Sequence, residues 1–205
     1  MTDGFKRRKQ SRWGEGAALR DEILDAAARL LAQSGREGDL SLRAVAREVG
    51  ISAPSIYLHF KDRRDLVEAV TQQAYDRLVA ELDRARKLGD ADGPHEALRA
   101  MVRCYCRFAL DNPRQYRLMF GIERVEVDRE DARTHPLHAV MAAWTEAVAA
   151  CRDGGSAGAG ADRVARLLWS SVHGMVAMSM TVPFAVDPQR MEEMAQDLLG
   201  LALAR

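Results

Sequence analysis

Apolar residues recur at helical spacing along most of this chain, and the breaks between runs fall at glycine and proline. Ile23, Leu24, Ala27, Leu30 and Leu31 mark the inner face of a helix from about Ala17 to Gln33. Asp21 and Glu22 suit its N-terminal end, and Gly35 is its stop. Leu42, Val45, Ala46 and Val49 predict a second, shorter helix that Gly50 ends in the left-handed region. Ser52 can cap a third helix, with Pro54 in its first turn, where a missing N–H costs little. Ile56 and Phe60 are four apart and face inward, leaving Ser55, Tyr57, Leu58 and His59 outside. Two short helices across a tight turn, over residues 41–60, have the layout of a helix-turn-helix, whose second helix enters the DNA major groove.

The pattern continues in longer strokes. Asp62 can cap a helix reaching about Lys87, with Leu66, Val67, Val70, Ala74, Leu78 and Leu82 as its stripe, and Gly89 and Gly93 break it. Gly93-Pro94, Asn112-Pro113, His135-Pro136 and Asp187-Pro188 each put proline where a first helical residue would sit. They predict helices near 94–111, 113–120, 136–152 and 188–203, and a further one spans about 162–181 after the flexible run GGSAGAGA at 154–161. Only RVEV at 124–127 hints at a strand, so the fold class is all-α, with about nine helices.

The helix at 162–181 carries Val164, Leu167, Leu168, Trp169, Val172, Met175, Val176, Met178 and Met180, which leave it almost no polar face. Such a helix is covered on both sides. With Met191, Met194, Leu198, Leu199, Leu201 and Leu203 of the last helix, it could form a two-fold, four-helix interface with a second copy; a wholly intramolecular core is the alternative.

Composition adjusts this picture modestly. The 205 residues allow one large domain or two small ones, and a 47% hydrophobic content supports a sizeable core. No apolar run reaches membrane-span length and no signal segment opens the chain, so a cytoplasmic location is expected. Net charge is zero, yet residues 1–64 hold 13 Lys and Arg against 9 Asp and Glu. The basic surplus coincides with the helix-turn-helix, as phosphate binding requires. Cys104 and Cys106, two apart on one helix, point roughly 200° apart and cannot converge on a metal. His135, His138 and His173 lack zinc spacing, so no metal is expected. No paired carboxylates, nucleophile with base or phosphate loop supports an enzyme, and no catalytic residue or cofactor is assigned.

ILDAAARLL at 23–31, Gly35, SLRAVAREVGIS at 41–52, SIYLHF at 55–60 and Leu66 together resemble the tetracycline-repressor (TetR) family of transcriptional regulators. NPRQYRLMF at 112–120 and WSSVHG at 169–174 look like a branch of that family with a Trp-x-x-x-His-Gly signature in its C-terminal domain. The resemblance implies a flexible basic arm (1–17), a three-helix DNA-binding head (18–78) and a ligand-binding and dimerisation bundle (79–205). Its implied partners are double-stranded DNA, a second copy of the chain through the helices near 162–181 and 188–203, and a small-molecule effector. The implied function is a bacterial repressor that binds a palindromic operator as a homodimer in the nucleoid and is released by a small apolar molecule. An architectural or ligand-independent DNA-binding protein is the alternative.

By the same resemblance, Ser41, Tyr57, His59 and Arg63 touch phosphates, as hydroxyl and cationic groups commonly do. Arg63 stands where the family usually has Lys, which alters the contact geometry. Base reading falls to Ala53, Pro54, Ser55 and Leu58, with Ser52 at the helix start and Arg43 reaching from the preceding helix. The third helix holds no Arg, Lys, Asn or Gln between Ser52 and Phe60, so bidentate base contacts are scarce. Thymine methyls, Arg43, the arm and DNA shape then carry more of the specificity. The arm, with cations at Lys6 to Lys9 and Arg12, either follows phosphates or aids solubility. Met101, Tyr105 and Phe108 share one helical face, and Phe120, Met141, Trp144, Trp169 and His173 could join them around an effector. The same residues at helical spacing also make an ordinary core.

Overall fold

The computed structural model describes residues 16–34, 40–121, 135–152, 159–181 and 187–203. In chain order the helices are α1 (Gly16–Ser34), α2 (Leu42–Val49), α3 (Ala53–Ile56), α4 (Arg63–Gly89), α5 (Pro94–Asp111), α6 (Pro113–Phe120), α7 (Leu137–Ala150), α8 (Ala159–Ser179) and α9 (Pro188–Leu203), with a 3₁₀ turn at Asp90–Asp92. The described residues contain no strand, and the protein is all-α. The basic arm, Gly35 and RVEV at 124–127 lie outside the described residues.

The helix ends follow local chemistry. Gly50 leaves α2 at φ 79° and ψ 26°, and the Ile51 N–H donates to the Ala46 carbonyl at 2.9 Å. Only a residue without Cβ takes that conformation at no steric cost. Asp62 starts α4: the Asp65 N–H donates to its carboxylate at 2.9 Å, and the Asp65 carboxylate accepts from the Lys61 N–H at 2.8 Å. Gly89 closes α4 where a Cβ would sit 2.7 Å from the Ala97 backbone, so the turn into α5 requires glycine.

Three expectations are corrected. The third helix is a single turn, Ala53–Ile56, after which Leu58 and His59 make 3₁₀-type bonds to the carbonyls three residues back. Pro136 sits at the N-cap of α7 rather than inside its first turn. The run at 154–161 is not all linker, because α8 already starts at Ala159: alanine and the modest cost of single glycines let the helix extend backward.

The chain divides into two compact units within α4. Residues up to Ala74, with Arg117–Phe120, form the first; Tyr75–Tyr116 and the residues from Gly121 form the second. The first unit buries Ile23, Leu24, Ala27, Val45, Ile56, Phe60 and Leu66 in one cluster, against which Leu118 also packs. Arg20 covers the Phe60 ring, its guanidinium 5.1 Å from the centroid. In the second unit α7 packs along α8, and α9 lies against both α5 and α8. Leu168, Val172 and Val176 of α8 and Met191, Ala195 and Leu199 of α9 turn inward. Leu167 and Met178 of α8 and Met194 and Leu201 of α9 stay exposed.

Candidate functional site

The helix-turn-helix puts most of its expected DNA-facing residues outside and leaves Ala53, Ser55 and His59 half-buried. Ser52 caps α3, accepting the Ser55 N–H at 3.3 Å, and its hydroxyl lies 2.6 Å from that of Ser55. These two hydroxyls therefore hold each other while shaping the helix start. With Ile56 and Phe60 anchored in the core, Tyr57 is 54% and Leu58 85% exposed. Ser41, Arg43, Pro54 and Arg63 are also exposed, and Ala53 and His59 are half-buried. Ser41 gives its carbonyl to the Val45 N–H at 3.0 Å, and its hydroxyl makes no cap bond to α2. This surface combines hydroxyl, cationic and apolar groups, which suits phosphate contact with apolar contact to base edges.

In the second unit, Met101, Tyr105, Phe108 and Trp144 are buried; Met141, Trp169 and His173 are half-buried. Phe120 is the exception among the expected effector residues, because Arg117–Phe120 group with the first unit.

Three side chains converge on one point. The Tyr105 and Tyr116 hydroxyls are 3.0 Å apart, and His173 Nδ1 lies 3.0 Å from the first and 2.6 Å from the second. Trp169 stacks on the His173 ring at 5.1 Å and 22°. Trp144 meets Tyr105 edge-on at 5.7 Å and 82°. Burial pushes the Tyr105 phenol well up, with Tyr116 adding to the rise and the Trp169 indole opposing it. Burial raises Tyr116 too, and it lowers His173 below its ordinary value. All three groups therefore stay neutral near pH 7, with Nδ1 of His173 positioned to accept from a phenol.

Tyr116 is the member that sequence reasoning missed. It lies within NPRQYRLMF, but on an eight-residue helix its inward direction depends on how α6 meets α5. Asn112 sets that junction, donating its side-chain amide to the Phe108 carbonyl at 2.9 Å.

A groove of about 810 Å3 lies elsewhere, between α5 and α9, lined among others by Arg103, Cys106, Arg107, Glu192 and Gln196. Arg103 is tied to Glu96 at 2.7 Å and approaches Glu192 at 3.7 Å. The cysteines hold their protons: burial raises Cys104 and Cys151 and, with the Glu192 charge, pushes Cys106 up to about 12. Among the described residues, no group of three or more His, Cys, Asp or Glu side chains could hold a metal ion. No described helix is long and apolar enough to cross a membrane.

Comparison with known proteins places both units. A family model for bacterial regulatory proteins of the tetR family matches residues 23–70, and one for the tetracyclin repressor-like C-terminal domain matches residues 98–201. The HTH-type transcriptional regulator Rv1816 of Mycobacterium tuberculosis is 32% identical over 100 residues, which is 49% of this chain and 42% of that protein. The match thus spans less than half the length of that relative. The solved structure of a regulatory protein, SCO4313, has 27% identity and a TM-score of 0.73, covering 93% of this chain and all of that one. SmeT, the repressor of a Stenotrophomonas maltophilia multidrug efflux pump, shares the fold at 24% identity and a TM-score of 0.66, over 89% of each chain.

Proposed function

The chain belongs to the TetR family of DNA-binding transcriptional regulators, and we propose that it is a repressor, bound as a homodimer to a palindromic operator and released by a small, largely apolar molecule. The observation that carries this reading is the exposed pair Tyr57 and Leu58, held outward by the buried Ile56 and Phe60. In this reading Ser41, Tyr57, His59 and Arg63 contact phosphates, and Ala53, Pro54, Ser55, Leu58 and Arg43 meet the base edges. Dimerisation is supported by the exposed apolar residues of α8 and α9. Leu167, Ser171, Gly174 and Met178 follow one another at three- and four-residue steps, and a Cβ at Gly174 would meet nothing within 4 Å. A second copy would cover that stripe and close a four-helix interface.

The effector would enter the second unit near Tyr105, Trp144, Trp169 and His173. Residues of α4 belong to both units, so α4 is the route by which ligand binding would reach the head. Altered spacing of two recognition helices no longer fits half-sites about 34–36 Å apart. Coupling of about 1–3 kcal/mol is enough for a 5- to 150-fold loss of affinity. The protein would act in the cytoplasm, on operator DNA.

Selecting bound duplexes from a random pool at near-physiological salt tests the reading. Enrichment of a palindrome is expected. General, salt-sensitive binding without enrichment would replace the operator reading with that of an architectural DNA-binding protein.

A further inference from the structure

Trp144 is fully buried on α7, and its indole N–H has no hydrogen-bond partner. A buried donor without an acceptor is costly, and native cores contain few of them. It lies beside the Tyr105–Tyr116–His173 triangle, its ring in edge-to-face contact with Tyr105 at 5.7 Å. With His173 neutral and its proton on Nε2, the Tyr116 hydroxyl donates to Nδ1 at 2.6 Å and the Tyr105 hydroxyl can donate to the Tyr116 oxygen at 3.0 Å. Neither phenol proton is left over for the Trp144 side, where the buried indole N–H is a donor without an acceptor. Among the described residues no charged side chain is buried, so this core has nothing to compensate a charged ligand.

From these observations we propose that the Trp144 region of the second unit is an effector subsite for an uncharged, aromatic molecule bearing a hydrogen-bond acceptor such as a ketone or ether oxygen, which the Trp144 N–H engages. This rests on the reading of the second unit as effector-binding and narrows it to one ligand chemistry. The acceptor takes the indole proton, while Tyr105 and Trp169 supply ring faces and edges for the flat body. Tyr105 and Trp144 are both fully buried and in edge-to-face contact. A ligand reaching the N–H must part them, populating an otherwise minor open state. Because Tyr105 also holds Tyr116 and His173, the insertion is felt on α5, α6, α7 and α8 together.

The test is equilibrium dialysis of the full chain with three probes of one shape: 2-acetylnaphthalene, 2-ethylnaphthalene and 2-naphthoate. The ketone should bind about tenfold tighter than the hydrocarbon, the effect of one neutral hydrogen bond, and the carboxylate should bind more weakly than the ketone. In Trp144→Phe the advantage of the ketone over the hydrocarbon should vanish while the hydrocarbon still binds. Equal or tighter binding of the hydrocarbon by the unmodified chain, or a ketone preference that survives Trp144→Phe, overturns the proposal and leaves an effector pocket standing. Tightest binding by the carboxylate overturns it likewise. Binding of none of the three probes removes the effector reading together with the proposal. Should Trp144→Phe not fold, the three-probe ranking on the unmodified chain still decides.

Discussion

The two units bury their aliphatic residues alike and differ in where they place their polar aromatic ones. The head turns Tyr57 outward, beside the bare Leu58, and keeps Ile56 and Phe60 inside. The second unit turns Tyr105, Tyr116 and Trp144 inward, around a half-buried His173. An outward group is available to a large partner with no change in the fold. An inward group is reachable only by a molecule small enough to enter, and only if the core gives way. The contrast matches a unit that meets DNA and a unit that would sense an effector.

The largest effects should come from truncating the buried aromatic residue of each unit. Phe60→Ala and Trp144→Ala should each reduce unfolding free energy by about 3–5 kcal/mol, measured by urea titration. A loss below about 1 kcal/mol for either would mean that the side chain is not packed as described.

The outward pair should behave oppositely. Leu58→Ala should leave stability within about 0.5 kcal/mol while reducing operator affinity about tenfold, equivalent to about 1.4 kcal/mol. Tyr57→Ala should weaken binding across DNA sequences and leave dimerisation intact, read by mobility shift and sedimentation. Undiminished affinity in both variants would erase the contrast between the units.

Smaller again is the effect of deleting one phenol hydroxyl. Tyr116→Phe removes the 2.6 Å bond to His173 and should reduce stability by about 1 kcal/mol, with little effect on DNA binding. Thermal unfolding that is unchanged would show the triangle to be energetically idle.

The smallest effect is the pH dependence. Burial lowers the His173 pKa below its ordinary 6.5, so the unfolded chain binds the proton more readily than the folded one. The stabilisation from neutral His173 is then fully present above about pH 6.5 and is lost as pH falls through the unfolded value towards the folded one. His135, lowered by burial and by His138, acts with the same sign. His173→Gln should therefore flatten part of the fall in stability between about pH 6.5 and 5, and an unaltered slope would assign it to His135.

The head was the more legible unit because its rules are local. Gly50 at positive φ, Ser52 as a cap and the pair Ile56 and Phe60 each act within a few residues, and each was readable from spacing. The length of α3 was not, because a four-residue helix and a longer one place the same side chains inward. In the second unit Tyr105, Trp144 and His173 were readable as residue types, but the residues that share their neighbourhood were not. Tyr116 joined through the bend between α5 and α6, whereas Phe120, one turn further along α6, groups with the first unit.

The sequence by itself determined the all-α class, the order of the helices, the glycine stop of α2 and the Ser52 cap of α3, and the outward Tyr57 and Leu58. Periodicity and end-capping are properties of neighbouring residues and survive without knowledge of the rest of the molecule. Tertiary structure alone decided that Tyr105, Tyr116 and His173 meet within 3.0 Å and that the Trp144 N–H is buried without a partner. Those facts depend on how helices distant in sequence pack, and dense packing fixes such contacts to fractions of an ångström that no residue pattern encodes.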